Sequence, residues 1–474
     1  MFRYLTPYRF LILAKLGVGL AYLWFCWDFF RLNRAMRDQL RELIPELSKD
    51  TIFSNLTLNR ITIDTLSFLS QPAATWLYFL LSPIIVLLYL WGRHRWLQMG
   101  IVLWVWISIV AMTSHINALM TTADFWLAWC FILYGVAILV TPPGQWDVSQ
   151  PGFSMGLWRT NPTIYSEYAW LVVVLQFTVY FYAGLNKLIY GWTAWTSGTA
   201  LQNLSYDPSM HDYVRGFPVP YLLSLALCYV TLFQRLILPF GFFSMRYRGW
   251  AVLILGAMHL GYDLLMQVAI FPLMGIACLL LIIPPRALAL PLFSLPSRKQ
   301  DRPLKLYMRS LPATRPRLAQ KILTIAIACL LLIEPAVISY YSSAPPYWNV
   351  KFATQLHWIM FADGGVQSKD RFRIAVKVHD PVTGQIRYHE VTDLPLRYFP
   401  DTWRTRLYAQ LILLKASQSR QSRLSSGEYV KTDDYLENYI NTSVNLYRAE
   451  TPNQPPVEQP ILAIYPYDKK EFSP

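Results

Sequence analysis

Long apolar runs constrain this chain more than any other feature. They cover roughly 9–31, 74–92, 97–117, 124–141, 167–188, 218–243, 249–268, 269–285 and 321–341. A helix of about 20 apolar residues rises about 30 Å, the thickness of a bilayer's hydrocarbon core. Such runs recurring through 474 residues, of which 54% are hydrophobic and only 15% charged, specify a polytopic α-helical membrane protein. About nine transmembrane helices are expected, the pair across 249–285 being parted only by Ile270-Phe271-Pro272.

The loops set an orientation. Arg93, Arg95, Arg159, Arg246, Arg248 and the stretch 286–320 fall on one side if the runs alternate. That stretch carries Arg286, Arg298, Lys299, Arg302, Lys305, Arg309, Arg315 and Arg317 against the single acid Asp301. Basic loops stay on the cytoplasmic side, so the N-terminus is expected inside and the chain after 341 outside. The same asymmetry accounts for the net charge of +14 without nucleic acid as a partner. Arg3 and Arg9 precede the first run with no small-residue cleavage site, which reads as a retained span. Cys26, Cys130, Cys228, Cys278 and Cys329 all lie in apolar runs without a C-x-x-C pair, so they read as core residues rather than as metal ligands or a disulfide framework.

The expected domains are a membrane core over 1–285, a basic cytoplasmic linker over 286–320, a last span over 321–341 and an extramembrane α+β domain over 342–474. Residues 33–72 read as an outside loop with a surface helix. Within the last domain, Phe372, Ile374, Val376 and Val378 alternate with polar or small residues at the period of a half-buried strand. Asp380 to Gly384 is turn chemistry, with Ile386 to Val391 returning as the hairpin partner. A helix is expected over 402–417, capped by Asp401, and a last strand over Ile461 to Tyr465.

One run stands apart because polar groups interrupt it. Gln176, Tyr180, Ala183 and Lys187 are spaced 4, 3 and 4 apart and share one helix face. Lys187 is open to two readings: an amine that snorkels to the membrane boundary, or a buried amine held neutral so that it serves as a base. His259 and Asp263 stand i and i+4 on the seventh run, as a substrate-pocket feature or a hydrogen-bonded structural pair. Asp124 opens the fourth run, where an acid also suits a helix N-terminus. His115, Asn117 and Gln234 are weaker candidates, and Arg235 inside a span needs a partner that the sequence does not name. No nucleotide-binding, hydrolase or metalloprotease motif occurs, and His379 and His389 have no further residue to complete a metal site.

The wording YFYAGLNKL, followed by Trp195 and Gly198-Thr199-Ala200-Leu201, resembles the vitamin K-dependent γ-carboxylases and the wider horizontally transferred transmembrane domain superfamily. His259-Leu260 and Phe271-Pro272 continue the resemblance, which covers about residues 5 to 285 well and the rest more loosely. It implies a reduced vitamin K-type quinone as cofactor, with oxygen, carbon dioxide and a Glu-bearing peptide as co-substrates, and no metal or biotin. The second Lys of the family's A-G-x-K-K-L run, the base that deprotonates the hydroquinone, falls on Lys187, and Asn186 replaces the Lys before it. His259 matches a family His, whereas Asp124 stands where the animal enzyme places a catalytic His, which departs from the later steps of that mechanism. The alternative is a non-catalytic member that binds lipid or quinone, or that serves maturation of or immunity to a secreted peptide.

Overall fold

The computed structural model describes residues 4–38, 72–92, 94–113, 122–205, 210–284 (apart from 212, 215–216 and 267–269), 318–341, 370–379, 386–391, 444–448 (apart from 446) and 461–466. Most of the expected surface helix in 33–72, the linker, His115, Asn117, the Asp380–Gly384 turn and the 402–417 helix lie outside those residues.

A helix occupies each of the nine apolar runs: α1 (Tyr8–Asp38), α2 (Pro72–Trp91), α3 (Arg95–Thr113), α4 (Thr122–Val140), α5 (Glu167–Ser197), α6 (Tyr221–Leu236), α7 (Arg248–Leu265), α8 (Ile270–Leu280) and α9 (Leu318–Tyr341). Among the described residues five stretches are long and apolar enough to cross a membrane, four within α1, α2, α4 and α5 and a fifth, Tyr221–Phe243, made of α6 and the turn after it; shorter apolar helices lie within α3, α8 and α9. The apolar surface also fits a membrane protein. Leu80, Ile84 and Leu87 on α2, and Leu222, Phe233 and Leu253 on α6 and α7, are more than half exposed, an arrangement that lipid tolerates and water does not.

Two boundaries differ from expectation. The break between α7 and α8 falls before Ile270, because Met266 is already extended and Pro272 sits in the first turn of α8, where its missing N–H costs nothing. The run at 218–243 is α6 followed by a 3-10 turn over Leu238–Phe243 that holds Pro239.

The end of the bundle where α1 begins is tied together by a two-stranded sheet. β1 (Tyr4–Pro7) pairs antiparallel with β2 (Thr163–Ser166), Tyr4 opposite Ser166, so the entry to α1 is fixed beside the entry to α5. Tyr4 donates its hydroxyl to the Phe242 carbonyl at 2.7 Å under the Arg248 guanidinium, which lies 3.8 Å from its ring centre. Burial pushes that phenol well above its ordinary pKa, with Arg248 opposing, so it stays a donor. The segment between α4 and β2 closes this end: Tyr8 donates to the Gly152 carbonyl, and Phe153 N–H to that of Leu90.

A separate three-stranded sheet follows α9. β3 (Asp370–His379) lies between β4 (Ile386–Glu390) and β5 (Ile461–Pro466), both antiparallel to it. The register places Ala375 opposite Glu390 and His379 opposite Ile386, so the expected hairpin pairing and the final strand are both present.

Candidate functional site

α5 carries the site and is well started. The Ser166 hydroxyl accepts from the Ala169 N–H at 3.1 Å, and Glu167 occupies the first turn, both favourable at a helix N-terminus. The helix does not stop at 188, as the apolar run suggests, but continues to Ser197 through a non-helical residue at Gly191. Gly198 ends it at φ 82°, and a side chain there would also strike the backbone of Leu225 on α6. The sequence Gly198-Thr199 is thus a helix stop and a packing contact at once.

Gln176, Tyr180, Ala183 and Lys187 all face inward, at 0, 0, 6 and 3% exposure. Tyr180 meets the seventh apolar run directly, its hydroxyl and His259 Nε2 sharing a hydrogen bond of 2.6 Å. The His259 ring is enclosed by Trp126, Tyr180, Tyr262 and Phe271, with ring centres 5.3–6.2 Å away. It also packs so closely on Gly275 of α8 that any Cβ there would collide with the imidazole.

Arg235, buried on α6, finds the partner that the sequence could not supply. Its Nη2 donates to the Tyr262 hydroxyl at 2.6 Å, and its guanidinium lies 5.8 and 5.6 Å from the ring centres of Tyr180 and Tyr262. Four buried polar atoms in this neighbourhood have no hydrogen-bond partner among the described residues: both amide atoms of Gln176, His259 Nδ1 and Arg235 Nε. Each such atom costs about 1–3 kcal/mol in a dry interior, so the cluster has strong unmet capacity to bind a polar ligand.

Lys187 is buried rather than extended from the helix surface. Its amine lies 4.6 Å from the Trp195 ring centre, inside the protein. Residues eight apart on an unbroken helix are separated by about 12 Å along the axis, so the irregular backbone at Gly191 accounts for the approach. Comparison of the chain with protein-family models, with curated proteins and with solved structures found no match.

The remaining candidates scatter. His259 and Asp263 do not pair: His259 is fully buried, whereas Asp263 is exposed. The buried stripe of α7 runs Arg248, Ala251, Leu255, His259 and then on to Met266; each step of four from Ala251 adds about 40° beyond a full turn, and the third such step carries Asp263 off the buried face. Asp124 lies fully buried in the first turn of α4, two residues before the Trp126 that flanks His259, a position that suits the helix-end reading. Four of the cysteines are buried and Cys329 is exposed; Cys130 and Cys278, far apart in sequence, bring their sulfurs to 3.6 Å.

Sequence reasoning passed over Lys15, which is 1% exposed on α1. The signal was available. Tyr8, Leu11, Lys15, Val18, Tyr22, Phe25 and Phe29 recur at alternating steps of 3 and 4, an unbroken buried stripe with a lysine in it.

Proposed function

We propose that this protein is an integral membrane enzyme of the γ-glutamyl carboxylase type, in which Lys187 is the base that takes a proton from a reduced quinone. The observation that carries the reading is the burial of Lys187 beneath Trp195, since both belong to the segment that resembles the carboxylases. A boundary lysine would extend its amine into the headgroups instead. Tyr180, His259 and Phe271, which carry the same resemblance, meet around one imidazole, and this further supports it.

The residues present suit a quinone headgroup, which is flat, apolar on its faces and polar at opposite edges. Trp126 and Phe271 offer ring surface, while Gln176, Arg235 and His259 hold unpartnered atoms for oxygens. When bound with oxygen and carbon dioxide, a reduced quinone supplies the chemistry that removes a γ-proton from Glu and leaves a carboxylated side chain. The amine of Lys187 would accept the first proton in its neutral form. Tyr180 positions His259, and Arg235 orients Tyr180 and Tyr262 from the facing helix. The second reading, a quinone or lipid binder without catalysis, is favoured by Asp124, which stands where the resemblance would place a catalytic His.

The experiment is to purify the protein from a membrane containing quinone and to assay hydroquinone-dependent proton release and peptide carboxylation. The enzyme reading expects bound quinone and activity lost in both Lys187→Ala and Lys187→Arg, since a guanidinium does not surrender its proton near neutral pH. An active Lys187→Arg variant refutes the base, and bound quinone with no turnover supports the non-catalytic reading.

The same proposal takes the nine helices as nine crossings, with the N-terminus and 286–320 cytoplasmic and an α+β domain over 342–474 outside the cytoplasm. Protease added to sealed cells then cuts within 342–474 and spares the basic stretch; the opposite pattern inverts the topology.

A further inference from the structure

Cys130 on α4 and Cys278 on α8 are fully buried with their sulfurs 3.6 Å apart, and the site proposed above does not use them. Either S–H can donate to the other sulfur. Among the described residues no third His, Cys, Asp or Glu joins them to make a metal site. The pair lies close to the His259 cluster. Cys130 stands one turn after Trp126 on α4, and Cys278 stands one turn after Gly275 on α8. Trp126 and Phe271 meet with ring centres 5.5 Å apart, both flank the His259 ring, and Gly275 packs directly against it. One helical turn rises about 5.4 Å, so the sulfurs lie roughly that far beyond those groups along the two helices.

Two thiols in contact can undergo a reaction that a single buried thiol cannot. An S–S bond is about 2.05 Å long, so the sulfurs need to close by about 1.5 Å. Thiols shut away from water are inert toward water-borne oxidants, which leaves an oxidant that dissolves in the bilayer. A quinone meets that requirement and accepts two electrons. We propose that Cys130 and Cys278 form a reversible disulfide that ties α4 to α8, with a quinone as the oxidant. Both S–H bonds break, one S–S bond forms, and two electrons and two protons pass to the quinone, which leaves as hydroquinone. The choice of oxidant rests on the quinone reading of the site, since a ring held between Trp126 and Phe271 lies about one turn from the sulfurs. The product is the reduced form that the same site consumes, so the pair reduces a quinone where it is used. An external dithiol then restores the two thiols by exchange.

The full chain carrying Cys329→Ser is purified in detergent, so that the exposed cysteine takes no part, and its four remaining thiols are counted by mass after alkylation of the unfolded protein. Duroquinone is the probe, without oxygen, because its fully methylated ring oxidises thiols without alkylating them. The count is expected to fall from four to two, with one hydroquinone formed per chain and a cross-linked peptide holding Cys130 and Cys278. Dithiothreitol is expected to restore all four. Cys130→Ala and Cys278→Ala, added singly, are expected to leave three thiols before and after quinone. Four thiols retained, or a bond between another pair of cysteines, overturns the inference, as does loss of thiols in either Ala variant. Should neither variant be recoverable, the identity of the cross-linked peptide in the parent chain decides by itself. A chain that carboxylates with supplied hydroquinone yet keeps four thiols refutes the disulfide and not the role of Lys187; a disulfide without carboxylation does the reverse.

Discussion

Among the described residues two amines are buried in this bundle, and their surroundings differ. Lys15 and Lys187 are exposed to only 1 and 3%, and each lies against aromatic faces, Tyr89 and Tyr134 for the first and Trp195 for the second. Lys15 stands in the regular part of α1, at one end of a hydrogen-bonded chain that terminates on a backbone carbonyl. Lys187 stands one turn before an irregular residue in α5, on the face that also bears Gln176 and Tyr180. Burial alone therefore does not identify a base. Lys15 ends a chain of hydrogen bonds within a regular helix, whereas Lys187 lies one turn before the irregular residue of its own.

The comparison is broken or sharpened most strongly by removing each amine in turn. Lys187→Met is expected to lower hydroquinone-dependent turnover by about 10²–10⁴, the usual worth of a general base, with a small change in thermal stability. Lys15→Met, which removes a buried hydrogen bond to Tyr134, is expected to act on thermal stability and to leave turnover unchanged. Reversal of these two phenotypes, read by the activity assay and the melting curve together, would exchange the roles assigned here.

A middle-sized effect concerns the link between α5 and α7. Tyr180→Phe and His259→Phe each leave a buried partner unmatched and are expected to destabilise by about 1–3 kcal/mol. Because the two groups share one hydrogen bond, the double substitution is expected to cost less than the two single losses added, by about 0.5–3 kcal/mol in a double-mutant cycle of denaturant unfolding. Strict additivity would mean that the 2.6 Å contact contributes nothing. The smallest effect is at Asp263, exposed at the end of α7, where Asp263→Asn is expected to stay within about 0.5 kcal/mol and to leave turnover unchanged. A large loss there would return Asp263 to the site beside His259.

The sequence by itself determined the local facts. Long apolar runs were each met by a helix, because a backbone in an apolar surrounding must satisfy its own hydrogen bonds. The 4-3-4 spacing put Gln176, Tyr180, Ala183 and Lys187 on one buried face, and two-residue alternation placed β3, whose pairing with β4 followed. Only the tertiary structure decided which face met which. His259 was legible as a polar residue in an apolar helix, yet its partner proved to be Tyr180 on α5 rather than the nearby Asp263, since packing of α7 against α8 turned the imidazole inward over Gly275. Arg235 acquired Tyr262, and Cys130 approached Cys278, across intervals that no periodicity spans. Lys15 shows the division within one residue. Its place on the buried stripe of α1 is written in steps of 3 and 4, but the Tyr134, Gln98 and Tyr89 that surround it come from three other helices. Helix periodicity fixes the direction in which a side chain leaves its own axis, and only the packing of helix against helix fixes what it meets there.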